Sequence, residues 1–566
     1  MNEYELLRVI DFLERTRRPY LQHVGPAETD PTWNILVMLI RRTVSGQLVT
    51  ISSLANSAGV PYATALRRVH KLIAEGWIIK VPRTTSGKAS ALKPSDRLLQ
   101  QFEAHARDVK VLLAHTFGWR SSDETDEDFY FGGGAAATPE LPLLTARLNN
   151  ASRIRFLLHD DNYFASMRDV WSDFRSNLAS RRDFELTGPL ARLYERLVEN
   201  AAASQSSFDV VALNFPWIGE FAARGLLRPL DDMIQAETID PADFHPEVWR
   251  GGSWRGRQYA VPIYITAEAL AIRRDWFDDA GIAPPGTFAD VLRAGKVLHA
   301  PAREQYGVTW NAARGMPIAS AFMFAMGCCG SAILSMPRRA GAVSLDDLQG
   351  ETMRPNLAGN AAARAALDYL RQLVNLSPPG VLEYDWNRSV ECFIGGHAAM
   401  IYVWTMRGAR FERDLHSSVK HRVDYLPHPA GPGGRAISPL GGFLLAIPAN
   451  IGEDRAKMAF EAISWMASPS AMKAHAKNGF PVAPRFSVSA DPEVARSSPI
   501  VQFVDRLARR DQLHGWQRPP VPEYTHIERI LGEEIHDALS GAKDDAQALR
   551  AAQQRIDALM REAGYY

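Results

Sequence analysis

Arg67, Arg68 and Lys71 lie close together in one stretch of the chain, with Tyr62 and Thr64 just before them and Arg83 and Lys88 just after. Cationic and hydrogen-bonding side chains grouped in this way suit the phosphates and base edges of a DNA groove. A second kind of chemistry stands further on. The stretches His159-Asp160-Asp161-Asn162-Tyr163 and Asn214-Phe215-Pro216-Trp217 each set polar groups beside an aromatic ring. Catalytic spacing is another matter: the sequence holds no Gly-x-Ser-x-Gly elbow, His-Glu-x-x-His pair, phosphate-binding lysine loop or dinucleotide fingerprint. Asp231-Asp232 and Glu533-Glu534 are adjacent pairs, and neighbours on a helix do not converge on one substrate. Cys328, Cys329 and Cys392 supply neither a disulfide framework nor a Cys-x-x-Cys metal pair, and the 15 histidines show no ligand spacing. No enzyme, metal site or cofactor is expected.

The basic residues need a helix to present them. Residues 51–59 form a short amphipathic segment that turns at Gly59-Val60, and Pro61 suits the first position of a new helix. A helix over 61–75 puts Leu66, Val69, Leu72 and Ile73 on one face. Tyr62, Thr64, Arg67, Arg68 and Lys71 fall largely on the other. Gly76 closes it. Residues 77–81 and 89–92 then read as strands around a basic hairpin tip, so that a helix-turn-helix is followed by a wing. Charge agrees with this placement. The 566 residues carry 64 Lys+Arg and 64 Asp+Glu, yet residues 1–120 alone net +7 and the remainder −7. This head resembles the winged-helix domain of the MarR-type repressors over roughly residues 30–118. The resemblance implies a dimer built by the helical segments 4–18 and 95–117.

The aromatic loops need a sheet. Residues 153–159 and 209–213 are short apolar strands, each followed by a helical segment, an alternation that argues an α/β domain with parallel strands. In open sheets of that kind ligands sit at the carboxyl ends of strands, which is where both loops fall. Between head and body, residues 119–150 change to acidic and Gly/Ala-rich composition and read as a linker. The first eleven residues carry acids among helically spaced apolar positions rather than an export signal. The uncharged stretch between Arg314 and Arg338 contains Pro317, Gly327 and Gly330 and reads as a buried helix plus loop, not a membrane span.

The body is similar to the family 1 extracellular solute-binding proteins of ABC importers over nearly all of 151–566. The segments that carry the likeness include Gln258-Tyr259-Ala260-Val261-Pro262, Gly395-Gly396-His397-Ala398-Ala399-Met400 and Pro439-Leu440-Gly441-Gly442-Phe443. It implies a type II periplasmic-binding-protein-like fold, two α/β lobes closing on a solute, with rings stacked on sugar faces and carboxylates taking hydroxyls. By position, Asp161, Tyr163, Trp217, Tyr264, Glu268, Trp310 and Trp404 are the expected ligand residues, with Gly441 and Gly442 allowing close backbone approach. The expected organisation is thus a winged helix-turn-helix DNA-binding and dimerisation domain (1–118), a linker (119–150) and a two-lobed solute-binding domain (151–566). The expected function is a cytoplasmic, ligand-responsive transcription regulator, a homodimer with operator DNA and a carbohydrate-like solute as partners. Two alternatives remain open: an importer solute-binding protein with a mis-assigned start, or a DNA-binding protein whose body is a ligand-free scaffold.

Overall fold

The computed structural model describes residues 6–7, 9–10, 12–13, 30–44, 47, 49–82, 90–116, 153–161, 163–164, 167–168, 183–188, 190–236, 239–336, 338–339, 342–343, 350–414, 417–477 and 483–566. It divides into two units, residues 1–131 with 413–416 and residues 132–412 with 417–566. The linker expected at 119–150 lies outside the described residues.

In the first unit, α1 (Pro31–Val44), α2 (Ile51–Ser57) and α3 (Tyr62–Ala74) precede an antiparallel hairpin of β1 (Ile78–Pro82) and β2 (Ser90–Pro94), and α4 (Asp96–Thr116) follows. Thr50 and Ser53 form a reciprocal cap that starts α2. Leu54, Ala65, Val69 and Leu72 are buried with Ile35, Leu39, Ile78, Leu92 and Phe102 in one core. Gly76, at φ +75°, turns the chain out of α3 into the hairpin.

The second unit is built on one large sheet. β3 (Phe156–His159), β4 (Phe184–Thr187) and β5 (Val210–Asn214) are parallel, and the near-continuous apolar runs of β3 and β5 fit strands covered on both faces. Two longer strands continue the sheet: β6 (Ala260–Arg273) and β9 (Ser438–Ala446), antiparallel to each other, with β9 antiparallel to β5. The far end of β6 pairs with β7 (Met400–Trp404) and β8 (Val423–Leu426), and β10 (Leu513–His514) pairs with the start of β9. Lobe one therefore gathers around β3–β5 and lobe two around β7 and β8, with β6 and β9 running through both.

Gly442 marks the crossing. It sits at φ +127°, and a Cβ there would lie 2.3 Å from the carbonyl oxygen of Tyr264, so only glycine lets β9 approach β6 this closely. A register shift follows between Phe443 and Leu444. A third passage between the lobes is made by residues 515–523. Pro520 packs so tightly on Gly219 of lobe one that no side chain would fit there, and α5 (Tyr524–Leu539) then joins lobe two. The uncharged stretch after Arg314 is helix Met316–Cys328, apolar on every side and buried on nearly every residue. No described helix is long and apolar enough to cross a membrane.

Candidate solute-binding cleft

The loop after β3 places Asp161 at the sheet's carboxyl edge. One of its oxygens accepts the Phe164 amide at 2.9 Å. The other accepts the Tyr264 hydroxyl at 2.6 Å and lies 3.2 Å from His159 Nδ1. Burial, with the Asp161 charge added to it, holds the Tyr264 hydroxyl well above its ordinary pKa, so it stays a hydrogen-bond donor. Tyr163 is buried beside this pair. Its hydroxyl donates to the Ile263 carbonyl at 3.0 Å and its ring lies 4.5 Å from that of Tyr264. At the end of β5, Asn214 Nδ2 reaches the Gly442 carbonyl at 3.4 Å. Trp217 goes elsewhere: it is buried against Tyr194 inside lobe one.

On lobe two the turn after β7 is stitched to β6 by two threonines. Thr405 Oγ1 accepts the Ala267 amide at 3.0 Å, and Thr266 Oγ1 accepts the Met406 amide at 3.2 Å. This fixes Trp404 directly over Gly441, where an added Cβ would stand 2.7 Å from the indole ring. Phe324 meets that ring edge-on at 5.7 Å, and the Arg518 guanidinium lies 5.2 Å from its centre while donating to the Leu440 carbonyl at 2.7 Å. Trp404 is only partly buried.

Glu268, opposite Trp404 across the β6–β7 pair, turns into lobe two. Asn311 donates to it at 3.2 Å, and His428 Nε2 lies 3.2 Å from its other oxygen. These three line a small cavity with Trp310, Tyr369 and Tyr402, about 20 Å³ in volume and thus the size of one water molecule. Trp310 is fully buried, its indole donating to Ser377 at 3.1 Å.

The structure thus hydrogen-bonds Tyr264 to Asp161 and packs the Tyr163 ring against Tyr264, sets Gly442 behind them, and joins Trp404 to Gly441. Glu268 and Trp310 share the inner cavity, and Trp217 stands apart from all of them. Sequence reasoning missed Arg407, Arg518, Thr266, Thr405 and Asn311. Arg407 follows the end of β7 by three residues, so the rule that ligands gather at strand ends was enough to find it. Among the described residues no cluster of His, Cys, Asp and Glu is arranged to hold a metal. Burial raises the thiol pKa of Cys328 and Cys329, the latter to about 11, which disfavours the thiolate.

The seven residues expected to meet DNA are in the first unit. Tyr62, Thr64, Arg67 and Lys71 are exposed on α3, Lys71 paired with Glu75 at 3.6 Å, and Arg68 is half-buried. Arg83 and Lys88 lie outside the described residues.

Residues 193–473 match the family of bacterial extracellular solute-binding proteins. The mannitol-binding protein of Pseudomonas aeruginosa is 26% identical over 458 residues, 76% of this chain and 98% of that relative. A solute-binding protein of an ABC transporter from Agrobacterium radiobacter, solved with ribitol, is 25% identical with a TM-score of 0.63, covering 72% of this chain and 98% of its own. Another from Agrobacterium vitis, solved with D-mannitol, is 21% identical with a TM-score of 0.59, covering 73% and 99%, and shares the fold. The two-lobed periplasmic-binding-protein-like architecture is therefore that of the solute-binding proteins.

These findings correct the expected function. A cytoplasmic transcription regulator does not stand against matches to solute-binding proteins, one of which, from Sinorhizobium fredii, is named as a periplasmic ABC-transporter component. The family match leaves the first unit outside its span, so the MarR-type identity, operator DNA and the homodimer gain no support from it. The physical reason for the misreading is that a surplus of basic residues measures charge and not the fit to a groove. Likewise, the localisation expectation rested on the first eleven residues rather than on the body's fold.

Proposed function

We propose that the second unit binds a small neutral polyol or a monosaccharide-sized sugar between its lobes, as the solute-binding component of an ABC importer working outside the cytoplasmic membrane. The observation that carries this reading is the hydrogen-bonded Asp161–Tyr264 pair on lobe one, with the partly open Trp404 ring held over the Gly441 crossing by lobe two. A carboxylate accepts hydrogen bonds from hydroxyls, and an indole face covers the carbon backbone between them. Tyr163 and Trp310 serve in this reading as packed support and Glu268 as a deeper acceptor, while Trp217 belongs to the core of lobe one. Relatives named for mannitol and solved with ribitol favour the acyclic polyols. Isothermal titration calorimetry against D-mannitol, ribitol, D-glucitol and maltose tests it. Saturable binding of at least one polyol supports the proposal, and heat-silent titrations across the panel overturn it.

A further inference from the structure

We infer that Arg407 is the specificity-determining residue of this cleft, its guanidinium donating from lobe two to the hydroxyl oxygens of a neutral polyol that Asp161 holds from lobe one. The inference rests on the polyol reading above. Arg407 is partly buried, on the short helix Thr405–Gly408 that the Thr266–Thr405 contacts pin to β6. A guanidinium has five N–H donors. Among the described residues it makes one hydrogen bond, to the neutral Oδ1 of Asn387. No described carboxylate comes within ion-pair distance.

Three other buried or partly buried arginines of this unit are paired with carboxylates. Arg273 binds Asp275 through two nitrogens at 2.8 and 2.6 Å, Arg485 meets Asp243 at 3.0 Å, and Arg455 is paired with Asp209. A cation withdrawn from water without such a partner is costly, and here burial does pull the Arg407 pKa below its ordinary value. Asp385, Tyr264 and Asp161 act on its charge from a distance against that burial, and the Arg410 cation acts with it. Neither carboxylate is free to come to it. Asp385 accepts the amides of Asn387 and Arg388 at 3.0 and 2.9 Å, and Asp161 holds Tyr264 and the Phe164 amide. Arg407 thus supplies donors and Asp161 acceptors within electrostatic reach of each other. A chain of hydroxyls, each both donor and acceptor, satisfies that pattern. An anionic sugar acid would bring a third carboxylate beside two already there.

Arg407→Met and Arg407→Lys test the assignment, read by calorimetry with D-mannitol and potassium gluconate and by the thermal unfolding of the ligand-free protein. Loss of hydrogen bonds from a charged donor predicts about a 10- to 100-fold weaker affinity for mannitol in R407M, with R407K in between. The ligand-free Tm of R407M should be unchanged or higher, because removing an unpaired cation relieves the fold. Wild-type affinity in R407M overturns the inference and leaves the polyol reading intact. A ligand-free Tm that falls by several degrees assigns Arg407 to the fold and overturns it too. Tighter binding of gluconate than of mannitol by the wild type removes the neutral-ligand assignment. A wild type that binds neither takes the polyol reading down with it.

Discussion

Tyr264→Phe removes the one hydroxyl that donates to Asp161 at 2.6 Å while leaving the ring's packing in place. Asp161 keeps the Phe164 amide and its contact with His159. A hydrogen bond to a charged group contributes about 1.5–3 kcal/mol. The second unit, residues 132–412 with 417–566, unfolds with an entropy of about 0.9 kcal/mol/K at roughly 2.1 cal/mol/K per residue. The substitution should therefore lower Tm by about 2–3 °C. Asp161→Ala costs more, because it also frees the Phe164 amide. The informative quantity is the double variant: if the two groups act through one bond, their effects fall short of additivity by about 1.5 kcal/mol or more. Differential scanning calorimetry on the four proteins measures it, and mannitol titrations of the same set measure the binding side. Strict additivity, with a coupling below about 0.5 kcal/mol, would refute the claim that this bond organises the cleft wall.

Gly442→Ala should be the most damaging small change in the cleft. The new Cβ meets the Tyr264 carbonyl oxygen at 2.3 Å at a φ of +127°, and strain there of about 1–3 kcal/mol before the clash is added should appear as a reduced Tm and lost binding. Trp404→Ala should weaken mannitol binding about 10-fold, with tryptophan fluorescence reporting ligand in the wild type and responding less in the variant. Glu528 gives a pH signature. It is buried against the Tyr524 hydroxyl at 2.6 Å, and burial lifts its pKa from 4.5 to about 7. The folded state therefore binds the proton more tightly than the unfolded one. Stability is greatest below about pH 4.5 as far as this group is concerned and declines as pH rises toward 7, by up to about 3 kcal/mol. Glu528→Gln should flatten that part of the urea-denaturation profile, and an unchanged slope would count against it.

Much of the cleft's framework was readable from residue pattern because local physics sets it. The runs at 156–158 and 210–213 are apolar throughout, as parallel strands covered on both faces must be, and the loops after them open at the sheet's edge. The uncharged stretch after Arg314 lacks any polar face, so it is buried. What the pattern hid was long-range. β6 is buried along its whole length, and nothing in its sequence says that its first half serves one lobe and its second half the other. Trp217 and Trp404 both follow strand-like runs yet part ways, Trp217 into a core as Trp310 does and Trp404 to the crossing, because a place after a strand does not say which side faces out. The basic head illustrates the opposite error, a real charge asymmetry read as a function.

The threading of β9 has a consequence for how the chain comes to exist. Its partner β5 is already made when Asn214 leaves the ribosome, yet Gly442, which Asn214 contacts, lies 228 residues later. At usual synthesis speeds that is a wait of about 10–50 s. During it, lobe one has an open sheet edge at β5, apolar on both faces, exposed to any strand that offers itself. Pairing at such sequence separation is slow even once the strand arrives. The molecule is therefore most prone to aggregation not when it is finished but when it is half made, and a truncation just before Ser438 should give insoluble protein where the full chain gives soluble.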